Sequence, residues 1–187
     1  MAAPLLVGLA AIVYVTSGRP VVFVQPRVGQ NGVVFGVYKF RSMVRDAVEH
    51  GAGFYLEDDD ARITWAGKWM RPFSFDELPQ LLNVLKGEMS IVGPRPNLEF
   101  VVDQYRDHYE RILQVKPGLT CLVAVNGRNR LKRSEMIDWD ERYVETLSLR
   151  TDLGVILRTV PTVLLRRGST NDVPQEFIED IPPATAT

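Results

Sequence analysis

The amino-acid sequence predicts a single α+β domain that is mainly helical and contains one small β-hairpin. Its 187 residues suit one hydrophobic core and are too few for two ordinary domains. Apolar residues make up 45% of the chain and charged residues 24%, which is the composition of a folded globular protein. Only one stretch combines β-branched residues with a strong turn, whereas most later apolar residues recur at helical spacing.

The uncharged segment from Ala2 to Ser17 predicts an N-terminal helix of strongly apolar character. Its 16 residues would extend about 24 Å as a helix, which is short of the roughly 20 residues needed to cross a bilayer. Pro4 would either break or start this helix. We expect the segment to dip into one leaflet, with Arg19 returning the chain to the anionic cytoplasmic surface. A helix buried in the core is the alternative.

The next segment predicts the β-hairpin. Residues 21–24 and 33–38 are rich in β-branched and aromatic side chains, as strands are. Between them lies Gly29-Gln30-Asn31-Gly32, in which Asn31-Gly32 suits the positive φ angles of a tight turn. The hairpin would release the chain at two basic residues, Lys39 and Arg41.

A helix is predicted from residue 74 to residue 86. Ser74 and Glu77 have the spacing of a capping box. Pro79 leaves open a later start, at Pro79 itself, and in either case Asp76 and Glu77 lie at the positive end of the helix. Four leucines follow at helical spacing, namely Leu78, Leu81, Leu82 and Leu85.

Three further helices are predicted downstream. One is capped by Asn97 and runs to about Leu113, the second covers residues 134–147, and the third opens at Asp152 with a kink at Pro161. The third helix has the composition of an interfacial amphipathic segment, and a core helix with a solvated basic face is equally open. Its apolar stripe is Leu153, Ile156, Leu157, Val160, Val163 and Leu164, and its basic residues are Arg158, Arg166 and Arg167.

The adjacent carboxylates Asp76 and Glu77 are the main candidates for chemistry. Taken alone, such a pair at a helix start is more typical of capping and of dipole-stabilising charge. Arg71 and Arg95 favour a second interpretation, because two flanking prolines hold Arg95 extended and a pre-organised arginine binds phosphate through parallel hydrogen bonds. A carboxylate pair with several cations indicates phosphoryl transfer. The overall charge excludes a different class of partner: 22 basic and 23 acidic side chains nearly cancel, so nucleic acid is not expected.

Four stretches give the sequence a resemblance to a known family. They are Tyr38-Lys39-Phe40-Arg41-Ser42-Met43, Asp60-Ala61-Arg62-Ile63-Thr64, the block from Asp76-Glu77-Leu78-Pro79 through Gly93-Pro94-Arg95-Pro96, and Lys116-Pro117-Gly118-Leu119-Thr120. These stretches resemble the bacterial sugar transferase family, the monotopic polyprenyl-phosphate phosphoglycosyl transferases. The similarity spans roughly residues 4–167, and its central block is long and highly specific.

The resemblance implies a two-step reaction at the cytoplasmic face of the bacterial inner membrane. Asp76 matches the nucleophile that attacks the β-phosphate of a UDP-sugar and releases UMP, after which undecaprenyl phosphate attacks the phosphosugar–Asp76 intermediate. Glu77 matches the second member of the dyad, and Mg²⁺, the usual cation, is expected at Asp76 and Glu77. The residues expected to bind substrate or phosphate are Lys39, Arg41, Arg71, Arg95, Arg128 and Asp152. The implied pathway is the start of exopolysaccharide, capsule or O-antigen assembly, and a homo-oligomer remains open.

Elementary electrostatics explains why such a site needs cations. With an ordinary pKa of about 3.9, Asp76 is ionised at neutral pH and needs no base. Two like charges 4 Å apart repel by about 4 kcal/mol at an effective dielectric constant of 20, which slows a step by roughly a thousandfold. Arginines and a divalent ion are therefore expected to offset the repulsion between Asp76 and the diphosphate.

The expected organisation is a membrane-associated helix at residues 1–18, a catalytic domain at residues 19–168 and a disordered tail at residues 169–187. Ala3-Pro4 resembles the proline break of the family's re-entrant helix, so we expect either a shortened form or a start codon placed too late. Cys121, the single cysteine, stands where the family usually has glycine, and it fits a reducing environment. Two other functions are weighed: a catalytically silent nucleotide-sugar-binding adaptor at the membrane, and a soluble magnesium-dependent phosphohydrolase.

Overall fold

The computed structural model describes residues 2–45, 47, 60–166 and 168. In this part of the chain, helices and two small pairs of strands form a mixed α/β domain, which confirms the predicted class. The helices are α1 (Ala2–Ser17), α2 (Trp65–Met70), α3 (Leu81–Leu85), α4 (Glu99–Gln104), α5 (Arg106–Ile112), α6 (Leu122–Asn126), α7 (Arg133–Glu145) and α8 (Leu149–Leu164). The strands are β1 (Val22–Val28), β2 (Val34–Phe40), β3 (Ser90–Val92) and β4 (Gly118–Thr120). Short 3-10 helices lie at Gln30–Gly32, Arg71–Phe73, Phe75–Gln80 and Arg128–Arg130.

The apolar segment from Ala2 to Ser17 forms helix α1. Pro4 lies in the first turn, where a missing N–H disrupts no helical hydrogen bond. Leu9 and Val13 are buried against Phe40 of β2 and Met70 of α2. The opposite face of α1 exposes apolar side chains, so the helix is neither wholly buried nor wholly exposed. Among the helices of the described ranges, none has both the length and the apolar composition to span a bilayer.

The predicted hairpin is confirmed. Strands β1 and β2 pair antiparallel, and Val28 lies opposite Val34 at the turn end. Asn31 and Gly32 take φ angles of 57° and 77° in the connecting 3-10 turn, as the sequence predicted. Directly opposite residues of an antiparallel pair share one face, and this places Lys39 of β2 on the same face as Arg27 of β1.

The helix predicted for residues 74–86 is wrong at its start. Ser74 adopts a left-handed conformation with a φ of 55° and makes no side-chain cap, so the predicted capping box does not form. A 3-10 helix carries Asp76 and Glu77, and the α-helix α3 begins only at Leu81, beyond Pro79. Pro79 lacks the N–H that a continuous α-helix would use, which accounts for the later start.

The predicted helix from Asn97 to Leu113 is divided into α4 and α5. The break falls at Tyr105, whose φ and ψ angles are −116° and 38°, and Asn97 does not cap either helix. Strand β3 pairs in parallel with β4, with Ser90 opposite Gly118, and this pairing was not predicted. After β4, Cys121 leads straight into α6.

Helix α8 begins at Leu149, where the Ser148 hydroxyl caps it by accepting a hydrogen bond from the Thr151 N–H. It packs through Val155 into a core with Val92 of β3, and it continues through Pro161. The predicted apolar stripe lies mostly on the exposed side, at Leu153, Ile156, Leu157, Val160 and Leu164. Two of the basic residues predicted for this helix make intramolecular contacts. Arg158 donates to the Asn126 side chain at 2.7 Å, and Arg166, which follows the end of α8, lies over the Phe73 ring at 4.2 Å. Arg167 and the predicted disordered tail lie outside the described residues.

Candidate active site

Glu77 lies at the centre of a cluster of charged side chains. Its Oε1 accepts hydrogen bonds from Lys39 Nζ at 3.1 Å and from Arg95 Nη2 at 2.8 Å. The side chains of Lys39 and Glu77 are only 19% and 16% exposed, whereas that of Arg95 is 51% exposed. Lys39 comes from the end of β2 and Arg95 from the loop after β3, so two distant segments meet at one carboxylate oxygen.

The cluster alters the protonation of its members. Burial opposes the charge on Glu77, but the positive charges of Arg95 and Lys39 and their hydrogen bonds outweigh it and lower the Glu77 pKa well below its usual value. Burial lowers the pKa of Lys39, which Glu77 opposes. The negative charge of Glu77 raises the pKa of Arg95. Glu77 is therefore ionised, and its Oε1 atom already accepts two hydrogen bonds.

Asp76 differs from its neighbour in having no such partners. It is 8% exposed, and in the described part of the chain no other side chain donates a hydrogen bond to its carboxylate. Burial, followed by repulsion from Glu77, raises the Asp76 pKa, while Lys39 and Arg71 oppose the shift. The ordinary pKa assumed from the sequence is thus corrected, because burial makes this carboxylate harder to ionise. The absence of a side-chain donor among the described residues leaves the carboxylate able to bind a ligand.

Two further cations, Arg71 and Arg128, lie near the carboxylates of Asp76 and Glu77. Arg71 donates from Nη1 to the Ser42 hydroxyl at 3.4 Å, and its charge favours ionised Asp76. Arg128 donates from Nη2 to the Ser74 hydroxyl at 2.7 Å, and burial lowers its pKa while Glu77 opposes that shift. The buried Nε of Arg71 and Nη1 of Arg128 have no hydrogen-bond partner within the described ranges. Both guanidinium groups thus have spare donors.

Two residues predicted to bind substrate, Arg41 and Asp152, contact other parts of the fold. Arg41 donates from Nη2 to the carbonyl oxygens of Ser17 and Gly18 at the end of α1, so its position is that of a helix C-terminal partner rather than a member of the Glu77 cluster. Asp152 accepts a hydrogen bond from the Tyr143 hydroxyl at 2.9 Å. Within the described residues, neither side chain hydrogen-bonds Asp76 or Glu77, and a role of either residue in substrate binding stays a prediction.

The structure adds two charged residues that were not predicted. Arg27 donates to the side chain of Gln25 at 2.8 Å and lies near enough to Arg95 that burial and this like charge lower its pKa to about 10. The alternation of side chains along the hairpin could have predicted that Arg27 lies near the site, because Arg27 and Lys39 share a face. Asp140 of α7 is 2% exposed, and burial raises its pKa to about 8. Nothing local in the sequence distinguishes Asp140 from other helical carboxylates.

The carboxylates also offer ligands for a divalent cation. Across the described ranges, no group of three or more His, Cys, Asp or Glu side chains is arranged as a metal site. Mg²⁺ does not require such a group, since it is commonly held by one or two carboxylates together with substrate phosphates and water. Asp76, a buried carboxylate without a side-chain donor, and its neighbour Glu77 are hard oxygen ligands that fit this ion.

Carboxylates ringed by lysine and arginine on a mixed α/β domain are suited to phosphoryl transfer. A family model described as "Bacterial sugar transferase" matches residues 1–166. The chain therefore belongs to the bacterial sugar transferase family, and by class it is a phosphoglycosyl transferase.

Three relatives illustrate the similarity. The chain is 36% identical over 180 residues to the exopolysaccharide production protein ExoY of Sinorhizobium fredii, covering 89% of this chain and 80% of that protein. It is 41% identical over 181 residues to the galactosyl transferase CpsE of Streptococcus agalactiae, covering 88% of this chain and 40% of that protein. It is 38% identical over 178 residues to the UDP-N-acetylgalactosamine-undecaprenyl-phosphate N-acetylgalactosaminephosphotransferase of Aeromonas hydrophila, covering 89% and 40%. The chain thus spans less than half the length of two of these relatives.

Proposed function

We propose that this chain transfers a sugar-1-phosphate from a UDP-sugar to undecaprenyl phosphate and releases UMP, as the first step in assembling a glycan such as exopolysaccharide, capsule or O-antigen. The observation that carries the proposal is the buried Asp76 carboxylate, open to a ligand beside a Glu77 held by Lys39 and Arg95. The name of the Aeromonas relative, which includes both a UDP-sugar and undecaprenyl phosphate, supports this choice of substrates.

In the first step, an Asp76 oxygen attacks the β-phosphorus of the UDP-sugar. The bond from that phosphorus to the bridging oxygen breaks, and UMP departs with the electron pair. In the second step, an oxygen of undecaprenyl phosphate attacks the same phosphorus, the acyl phosphate bond breaks, and the Asp76 carboxylate is regenerated. Only ionised Asp76 is a nucleophile, and its raised pKa makes the rate increase with pH until that group has titrated.

The surrounding cations reduce the repulsion between the Asp76 carboxylate and the diphosphate of the UDP-sugar. Lys39 and Arg95 already neutralise Glu77, so the Glu77 charge adds less repulsion to the incoming diphosphate. The charges of Arg71 and Arg128 act on Asp76, and guanidinium groups are suited to binding phosphate oxygens. Both guanidinium groups would stabilise the negative charge that develops on the phosphate of the departing UMP.

Magnesium completes the proposal as a cofactor. Asp76 and Glu77 would hold the ion, in keeping with its preference for carboxylate oxygens and substrate phosphates. When bound, Mg²⁺ supplies positive charge that stabilises the phosphate oxygens during transfer.

Because the proposed acceptor is a lipid, we place the enzyme at the bacterial inner membrane, on the cytoplasmic leaflet that the family resemblance implies. Two helices expose apolar side chains that a bilayer would cover, Leu5, Val7 and Val15 on α1 and Leu153, Leu157 and Leu164 on α8. Flotation of the purified chain with anionic liposomes tests this placement. A chain that remains monomeric in detergent-free buffer and does not float would contradict it.

The reaction is tested by following UMP release from a panel of UDP-sugars. We expect sustained release only when undecaprenyl phosphate and Mg²⁺ are both present, and a single stoichiometric turnover when the lipid is omitted. Mass spectrometry of the enzyme after that turnover should show a phosphosugar adduct on the peptide that contains Asp76. The same panel identifies the sugar that this chain uses.

Substitution Asp76→Asn should abolish both the turnover and the adduct, because the amide is a poor nucleophile. Substitution Asp138→Asn is the matched control, since Asp138 is an exposed carboxylate on α7, and it should leave the rate unchanged. An adduct that persists in Asp76→Asn would refute the assignment of the nucleophile. Binding of UDP-sugar without UMP release would favour the silent adaptor, and release of phosphosugar to water without lipid would favour the phosphohydrolase.

A further inference from the structure

The loop that carries Arg95 is attached to the domain on both sides. Before Arg95, the Pro94 carbonyl accepts a hydrogen bond from the Gly118 N–H at 2.9 Å. After it, the Asn97 carbonyl accepts one from the Val28 N–H of β1, also at 2.9 Å. The loop is therefore anchored to β4 and to the hairpin whose second strand leads to Lys39.

The side chain of Asn97 adds a third attachment, this time to Arg95 itself. Its Nδ2 donates to the Arg95 carbonyl oxygen at 3.1 Å and to the Tyr109 hydroxyl at 2.7 Å. A carboxamide nitrogen carries two hydrogens, and these two bonds use both. Tyr109 is 2% exposed and belongs to the core cluster of α4, α5 and α7, so the Asn97 side chain links Arg95 to a rigid part of the fold.

We propose that Asn97 and Tyr109 are positioning residues that set the orientation of Arg95 for the transfer reaction. This inference rests on the proposed function. The Arg95 carbonyl is bonded to the same Cα atom as its side chain, so holding that carbonyl limits rotation of the peptide and directs the guanidinium towards Glu77 Oε1 at 2.8 Å. Positioning is needed because half of the Arg95 side chain is exposed, and an exposed long side chain samples many rotamers.

Two substitutions separate positioning from folding. Asn97→Ala removes both hydrogen bonds, whereas Tyr109→Phe keeps the buried ring and removes only the hydroxyl that orients the Asn97 amide. We expect kcat/KM for UMP release to fall about 10- to 100-fold in Asn97→Ala and about 3- to 10-fold in Tyr109→Phe, in line with the sensitivity of catalysis to small misplacements. Glu110→Gln, which changes an exposed side chain on the same helix as Tyr109, is the control and should not change kcat/KM.

A double-mutant cycle with Arg95→Ala identifies the residue through which Asn97 acts. If Asn97 works only by orienting Arg95, then adding Asn97→Ala to Arg95→Ala causes no further loss of kcat/KM. An equal loss in both backgrounds would overturn the proposal, and so would a wild-type kcat/KM in both Asn97→Ala and Tyr109→Phe.

Hydrogen exchange tests the positioning without an activity assay. The peptide that covers residues 93–98 should exchange faster in Asn97→Ala than in wild type, with no change at α7. Unchanged exchange at residues 93–98 would overturn the proposal. A wild-type enzyme that releases no UMP would instead refute the proposed function, so the two failures are distinguishable.

Discussion

Replacing Glu77 with glutamine tests the charge arrangement at the centre of the site. The substitution keeps the length of the side chain and removes the negative charge that Lys39 and Arg95 share. Removing one partner of a buried ion pair costs about 3–5 kcal/mol, and the exposed Arg95 contact adds no more than about 1 kcal/mol. Relief of the repulsion between Glu77 and Asp76 offsets part of this loss. We therefore expect Glu77→Gln to lose about 3 kcal/mol at pH 7, or about 6–12 °C in Tm.

The size of this loss should depend on pH with a defined sign. Because the Glu77 pKa is lowered in the folded state, its stabilisation is complete above the ordinary value of about 4.3 and is lost as the pH falls towards the folded pKa. Between pH 7 and pH 3, proton binding to the unfolded chain removes about 2 kcal/mol of the difference between wild type and variant. The Tm gap should therefore shrink on acidification.

Thermal unfolding followed by tryptophan fluorescence measures both effects. Glu110→Gln is the matched control, because Glu110 is exposed on α5, and its Tm should stay within about 2 °C of wild type. The reasoning is refuted if Glu77→Gln unfolds within about 2 °C of that control at pH 7, or if the gap widens between pH 7 and pH 3.

Three further substitutions have defined outcomes. Asp140→Asn should match wild-type stability near pH 4 and exceed it by several kcal/mol at pH 9, because a folded pKa of about 8 means that wild type loses stability as the pH rises from about 4 to about 8. Asn83→Ala should lower stability by about 2–4 kcal/mol in urea unfolding, because this fully buried amide bonds one backbone N–H and one backbone carbonyl of β2. Gly93→Ala should lower both Tm and kcat, since a Cβ there would overlap the Lys116 carbonyl, whereas Gly154→Ala, with open space around it, should not.

Each of these expectations has a contrary result. If the stability difference between Asp140→Asn and wild type is the same at pH 4 and pH 9, the Asp140 pKa is not raised in the folded protein. An Asn83→Ala loss below about 1 kcal/mol would mean that water satisfies the freed backbone groups. Equal Tm values for the two glycine variants would contradict the close approach at Gly93.

Local features of the chain were predictable because they depend on neighbouring residues. Apolar content from Ala2 to Ser17 indicated α1, and Asn31-Gly32 between β-branched runs indicated the hairpin and its positive φ angles. The family resemblance directed attention to Asp76, Glu77 and the cations around them. The helix boundary near Ser74 was predicted wrongly, because a capping-box spacing says nothing about the left-handed backbone that Ser74 adopts.

The arrangement of charges depended on contacts between distant segments. Lys39 and Glu77 are 38 positions apart, and only the packing of the hairpin against the 3-10 helix brings them within 3.1 Å. The same packing adds Arg27 to the site and buries Asp76 enough to raise its pKa, whereas Arg41 binds the end of α1. Residue types and their spacing predicted which chemical groups are available. Burial and the distances between charges decide which of them are paired and which remain open to a substrate, because desolvation and Coulomb energy depend on three-dimensional position.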